Sequence, residues 1–252
     1  MFTPALLRNA RVINHYRSSQ AVSNLSQAYL HQNYREFAKL LAHAQTKSNN
    51  LYNFTKEPRR IKPNSLKTWK RYILFQYMME YTTTKKSDIN SAEFGIYTGI
   101  SSLMMETYFG HFETSKHYAF DSFEGLSSPQ AIDRRPEVKG IMSPDLEKSK
   151  KLLKQSILHK GWIPDELPKN FCTKLDFIHI DLDLHEPIKG ALEFVNPLLK
   201  PGAMIIIDDY SMRWRGAMLA VNEYIELNRD SFASIINHFN GLIFLRKKGS
   251  TA

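Results

Sequence analysis

One cysteine, Cys172, is all that the 252 residues contain. A lone thiol excludes an intrachain disulfide and a cysteine-based metal site, and it fits a reducing compartment such as the cytoplasm. Long apolar runs are missing too. The longest, near "AMIII" (203–207) and "GLIFL" (241–245), fall far short of the ~20 residues that cross a bilayer. Acids are absent from the first 35 residues, which carry Arg8, Arg11, Arg17 and Arg35. Such a start has the composition of an organellar transit peptide, but no cleavage pattern accompanies it. Leu6, Ala10 and Ile13, then Leu25, Ala28 and Tyr29, fall at helical spacing and predict a helical N-terminal arm. Secretory signals, internal repeats and low-complexity tracts are absent. So are the signatures of RNA- and DNA-binding modules.

What is present suits an ordinary core: 42% of residues are hydrophobic. Lys and Arg outnumber Asp and Glu by 34 to 25, a net charge of +9. The excess is spread over 56–71 and 147–160, which reads as solvated surface and not as a nucleic-acid face.

Along the chain, an amphipathic stretch at 65–86 places Trp69, Ile73, Tyr77 and Met78 on one helical face. Strand-like and helix-like segments then alternate. "SAEFGI" (91–96) leads to a helix at 101–110, and "KHYAFD" (116–121) leads to a long irregular loop. A helix follows with Ser143 as N-cap and Pro144 in its first turn, running to about Gln155. "SILHK" and "LDFIHID" (175–181) are strands, and Pro187 opens a helix to about Leu199. "KPG" (200–202) turns into the strand "AMIIID", and a helix spans about 216–228. "SFASIINHF" and "GLIFLRK" close the chain as a hairpin turning at Asn240-Gly241. Such alternation predicts an α/β fold: a mostly parallel seven-stranded sheet with helices on both faces and a C-terminal antiparallel β-hairpin. Residues 1–64 form a helical arm and basic linker in this division, and 65–252 form the main domain.

In open parallel sheets, ligands collect beyond the carboxyl ends of the strands. There lies "EFGIYTG", with Glu93, Gly95 and Gly99, a strand-to-helix turn able to approach a ligand closely. Tyr97 stands where the dinucleotide motif has its middle glycine. Asp121 ends the next strand, 26 residues after Gly95, where an acid can take both hydroxyls of a ribose. The Glu-x-Gly-x-x-x-Gly form and the closing hairpin favour S-adenosylmethionine over a dinucleotide.

Four aspartates end two further strands: Asp181 and Asp183, then Asp208 and Asp209. Strands one helix apart bring Asp181, Asp208 and Asp209 together, a set suited to Mg²⁺ or another hard divalent cation. Asp183 faces the same cleft as a candidate base, with His185 as second choice.

"YAFDSFEGL", "GWIPDELP", "IDLDLHEP", "LLKPGAMIIIDDY" and "RGAMLAVNEYI" together resemble the macrocin O-methyltransferase (TylF-type) family over about residues 90–230. The resemblance implies a Rossmann-like class I methyltransferase fold. It implies S-adenosylmethionine- and Mg²⁺-dependent methylation of a sugar hydroxyl. Asp181, Asp208 and Asp209 match its metal ligands, and Asp183 matches its proposed base. A histidine serves as base in other members, and His185 is slightly offset from it. Glu93, Gly95, Asp121 and Ser122 match cofactor positions, alongside Tyr97, Gly99, Ser101 and Asp181. Phe123 and Trp162 are expected beside the adenine. "SSPQAIDRRPEVKG" (127–140) departs from the family's proline-rich continuation, so the acceptor pocket is particular to this chain. Arg213, Trp214 and Arg215 lie just past the paired acids, within reach of an acceptor.

A nucleotide-sugar transferase using Asp-x-Asp and a non-catalytic binding protein of the same fold are the alternatives. The expected partner is a small hydroxyl-bearing acceptor, a sugar or glycoside, with no membrane span and no nucleic acid. A homo-oligomer stays open.

Overall fold

Alternating short β-branched runs and amphipathic stretches fold as anticipated. The computed structural model describes residues 20–52, 66–83, 88–135, 138–238 and 241–249, and of 20–32 only the helical backbone. The expected contacts of Leu6, Ala10, Ile13, Leu25, Ala28 and Tyr29, and the hairpin residue Asn240, lie outside the described positions. The elements are α1 (Gln20–Tyr52), α2 (Leu66–Thr82), β1 (Asn90–Phe94), α3 (Ile100–Phe109), β2 (Lys116–Asp121), α4 (Leu146–Leu152), β3 (Ile157–Lys160), β4 (Leu175–Ile180), α5 (His185–Val195), β5 (Leu199–Ile207), α6 (Arg215–Asn228), β6 (Phe232–Asn237) and β7 (Ile243–Lys247). No helix among the described residues is long and apolar enough to cross a membrane.

The seven strands order as β3-β2-β1-β4-β5-β7-β6. β1 to β5 are parallel, and β7 pairs antiparallel with both β5 and β6. The antiparallel strand is therefore the inner one of the closing hairpin. β6, at the edge, runs in the same direction as β5.

Alternation along the strands splits the core in two. Phe94, Ile178, Ile180, Ile205 and Ile207 pack against α5 and α6 through Ile188, Leu192, Ala217 and Val221. Phe177, Met204 and Ile206 face α2 and α3 through Leu74, Tyr77, Met78, Tyr81 and Met105. Tyr77 stacks flat on Phe244 at 4.1 Å, and the Tyr81 hydroxyl donates to buried Asp176 at 2.6 Å. Trp69 does not join that face and is 51% exposed. α1 adds Phe37, Leu41 and Ala44 to a third cluster with Phe75, Leu103, Met104 and Leu152.

Three boundaries differ from expectation. Asp145 caps α4, its carboxylate accepting from the Lys148 amide at 2.9 Å, because an acid so placed reaches the free N–H one turn on. α5 begins at His185 and is finished by Val195. β5 begins at Leu199, and the pairing with β4 shifts between Leu175 and Phe177. That irregularity accommodates Pro201, which has no N–H, and Gly202 at φ +78.

The α2/α3 face of β1, β2 and β4 also carries a polar row. Ser91 is the register partner of His117, and its hydroxyl lies 2.9 Å from the His117 Nδ1. Burial pushes the His117 imidazole down to about 4. An unfolded histidine binds its proton near 6.5, so the unfolded chain holds more protons between those values. Stability is expected to fall by up to about 3 kcal/mol as pH drops from 6.5 to 4. Urea unfolding at both pH values, compared with His117→Asn, checks this; equal losses in the two proteins would contradict it.

Candidate active site

The sheet order reverses direction between β1 and β4, because the chain crosses to β2 on one side and to β5 on the other. A crevice opens at that point, beyond the carboxyl ends. The two ends are pinned together: the Asp181 amide donates to the Phe94 carbonyl and the Gly95 amide to the Phe120 carbonyl, both at 2.9 Å. Gly95 has φ +85, and a Cβ there would stand 1.9 Å from the Asp181 carbonyl oxygen. Only glycine fits. A cavity of about 460 Å³ fills the crevice, and Gly95, Tyr97, Ser101, Asp121, Ser122, Trp162, Asp181, Asp183, Asp208 and Asp209 all line it.

All four aspartates meet at this cavity. One oxygen each of Asp181, Asp183 and Asp209 lies within 4.8 Å of the others. Asp208, expected as a ligand in that set, instead pairs with Lys70 of α2 and accepts the Asp209 amide at 2.6 Å. The backbone explains the split. Asp208 still continues β5, its amide donating to the Ile180 carbonyl at 2.8 Å. Asp209 turns to φ +60 and Asp183 to φ +60, a left-handed conformation that aspartate tolerates better than most residues. Such strain concentrates at functional sites.

Burial and mutual repulsion act on every member. Burial first, then the charges of Asp208 and Asp209, raise the Asp181 carboxyl. Burial, the Asp181 charge and a hydrogen bond with Asp209 push Asp183 up to about 10. Burial alone would lower Lys70, but Asp208 and Asp209 outweigh it and hold the ammonium above its ordinary range. Three carboxylate donors with no sulfur or nitrogen among them fit a hard divalent cation. Such an ion would also offset the repulsion that raises these groups.

On the donor side, Asp121 lines the cavity but also clamps the loops. Its carboxylate accepts the Ile96 amide at 2.8 Å, the Tyr97 amide at 3.4 Å and the Phe123 amide at 2.7 Å. Ser122 donates to the Gly125 carbonyl at 2.9 Å, and Trp162 forms part of the cavity wall. Four expected residues sit behind the wall. Glu93 is fully buried, with its carboxylate on the His179 Nδ1 at 2.7 Å and on the Ser102 hydroxyl. Burial would raise Glu93, but His179 outweighs it and holds the carboxyl below its ordinary range, and Glu93 raises His179 in return. Gly99, at φ +70, caps α3 against Leu152. Phe123, expected beside the adenine, packs in the α1/α3 core. His185 is buried, its Nε2 3.2 Å from Glu223 and its amide donating to Asp133 at 2.8 Å.

His179, Lys70 and Arg71 also line the cavity and escaped the sequence reading. His179 had a signal: it lies two residues before Asp181 on β4, hence on the same side of the sheet. Lys70 and Arg71 lay in a basic stretch read as solvated surface, and only the packing of α2 turns them inward.

The divergent loop after β2 is closed on itself. The Leu126 amide donates to Ile141 and the Gly140 amide to Leu126. Asp133 ties it to the start of α5, and Gly216 leaves room for that carboxylate: a Cβ there would meet it at 1.8 Å. Arg135 lies 4.4 Å over the Trp214 ring, and Arg213 and Trp214 line the cavity mouth.

Comparison with known proteins gives this geometry a context. A tetracenomycin-C rhamnosyl 4'-O-methyltransferase of Streptomyces olivaceus is 31% identical over 159 residues, 57% of this chain and 61% of that protein. The chain thus matches less than two thirds of that relative's length. The O-methyltransferase NovP superposes with a TM-score of 0.60 at 20% identity, covering 69% of this chain and 77% of NovP. The calicheamicin methyltransferase CalS11 gives 0.57 at 19%, covering 80% and 91%. The S-adenosylhomocysteine-bound PaMTH1 of Podospora anserina gives 0.52 at 14%, covering 91% and 97%. At these identities the likeness is one of fold, the class I methyltransferase fold. The sequence profile described as macrocin-O-methyltransferase (TylF) matches residues 24–237, and the chain belongs to that family.

Proposed function

We propose that the protein transfers the methyl group of S-adenosylmethionine to a hydroxyl of a sugar or glycoside, with a divalent cation such as Mg²⁺ at the aspartates. One observation carries the reading: a single cavity joins the Gly95 turn and Asp121 to the Asp181/Asp183/Asp209 group. A donor subsite and an acid cluster for a hydroxyl acceptor therefore share one space. The relative's rhamnosyl acceptor supports the sugar class.

Asp181 and Asp209 would hold the cation, and Asp208 adds its charge from the Lys70 pair. Bound there, it would stabilise negative charge developing on the acceptor oxygen. Asp183 takes the hydroxyl proton. The oxygen lone pair then forms the new C–O bond at the methyl carbon, the C–S bond breaks, and its electron pair stays on sulfur as S-adenosylhomocysteine. Once Asp181 and Asp209 are neutralised, Asp183 can ionise and act as that base. Glu93 and His179 brace the floor beneath Asp181. The helical arm belongs to the frame of the pocket, since the Ser48 hydroxyl donates to the Thr98 carbonyl at 2.8 Å in the Gly95–Gly99 turn. A cytoplasmic setting is compatible with the lone cysteine.

Calorimetry should register S-adenosylhomocysteine binding, and turnover on rhamnosyl or other glycoside acceptors should vanish with chelator and return with Mg²⁺. Binding of a uridine-diphosphate sugar without S-adenosylhomocysteine binding would favour a nucleotide-sugar transferase instead.

A further inference from the structure

Two lysines and two arginines line the cavity beside His179: Lys67, Lys70, Arg71 and Arg213. Lys67 and Arg213 are exposed. Lys70 is committed to Asp208 and Asp209. Arg71 is partly buried, and among the described residues no carboxylate lies within ion-pairing distance of it. The acids that act on it through space are Asp181, Glu93 and Asp208. Glu93 is already held by His179 and Ser102, and Asp208 by Lys70. Asp181 belongs to the carboxylate group.

A guanidinium withdrawn from water without a hydrogen-bonded acceptor is costly, so an acceptor is expected to arrive with the ligand. Under the proposed function, on which this inference rests, the donor has one anionic group, its α-carboxylate. Its ammonium and sulfonium are cationic. Arg71 lines the same cavity as Gly95, Ser101 and the aspartates, and it is the partly buried cation there with no ion-pair partner among the described residues. Charge alone draws the sulfonium to the aspartates and the carboxylate to Arg71. We propose that Arg71 is the residue that binds the α-carboxylate of the methyl donor. Its planar fork matches a carboxylate through two parallel N–H bonds, which an ammonium cannot reproduce. Lys70 and Arg71, consecutive on α2, thereby serve different partners: one the acid pair, the other the donor.

Calorimetry with two ligands tests this. One is S-adenosylhomocysteine, and the other is its decarboxylated form, which keeps the amine. Arg71→Gln is expected to weaken S-adenosylhomocysteine by about 30-fold, the range of a charged hydrogen bond. It should leave the decarboxylated ligand within about threefold, and Arg71→Lys should fall between. Retained binding of the decarboxylated ligand also demonstrates that the variant folds. Equal losses for both ligands, or no loss for either, would overturn the assignment. Failure of the unmutated protein to bind S-adenosylhomocysteine at all would overturn the donor reading itself, and this inference with it.

Discussion

Gly95→Ala is expected to abolish donor binding within measurable range and to lower the melting temperature by about 10 °C. Two penalties combine. At φ +85 an alanine occupies a left-handed conformation, which costs about 1–2 kcal/mol. Its Cβ would also stand 1.9 Å from the Asp181 carbonyl oxygen, a backbone atom that cannot rotate away. The end of β1 must then part from the end of β4, where the Asp181 amide holds the Phe94 carbonyl. Overpacking of this kind adds about 1–3 kcal/mol. For a chain of this size each kcal/mol shifts the melting temperature by about 2–4 °C. Parting the two strand ends also displaces the donor turn from Asp181, so affinity for S-adenosylhomocysteine should drop at least about 100-fold. Gly202→Ala separates the penalties. Gly202 has φ +78, yet nothing lies within 4 Å of its Cβ direction. It should cost only the backbone term, about 2–8 °C, and leave donor affinity intact. Similar melting shifts and affinities in the two variants would show that close approach at Asp181 is not what Gly95 provides.

The contrast between these glycines also marks how far sequence reading reached. Gly95 follows β1 and Gly202 lies in the irregular start of β5, and nothing local in the sequence distinguishes the one that touches the neighbouring strand. The strand–helix alternation was legible because burial on both faces demands apolar runs of fixed length. The residues at the carboxyl ends were legible because acids there have no packing reason to exist. Which acid faces which partner was not legible. Asp208 and Asp209 are adjacent and both reach Lys70, but one turn of the backbone at φ +60 also brings the second to Asp181 and Asp183. Glu93 read as a ligand residue because it precedes the turn. Its register partner on β4 is His179, and a buried carboxylate opposite an imidazole becomes an ion pair. Cross-strand pairing of that sort is invisible until the strand order is known. The partner of His185, the second-choice base, was hidden for a related reason. α5 starts two residues before Pro187, so the helix itself carries the imidazole towards Glu223.

Asp183→Asn is expected to lower kcat by about 1,000-fold while making the chelated protein more stable. Asparagine keeps the shape and tolerates the φ of +60 at that position. It cannot accept the acceptor's proton, and removal of a general base typically costs about 10²–10⁴ in rate. Donor binding should stay within about threefold, because the change lies at the acid cluster and not at the Gly95 turn. The stability gain follows from the titration of Asp183. Its carboxyl is pushed up to about 10 in the folded chain by burial and the Asp181 charge. An unfolded aspartate ionises near 4, so the folded state holds the extra proton between those values. Stability contributed by Asp183 is therefore present at low pH and lost progressively as pH rises towards 10. Asparagine has no proton to lose, so the variant should melt at least about 3 °C higher near pH 7.5 and show a flatter decline above it. Added Mg²⁺ should shrink that gap, since the cation neutralises the neighbours that oppose ionisation of Asp183. Thermal melts across pH with and without chelator, beside steady-state rates on a glycoside acceptor, measure both arms. A variant retaining a tenth of its turnover would move the base to another group. A variant that melts lower than the parent under chelator would mean that Asp183 supports the fold instead of straining it.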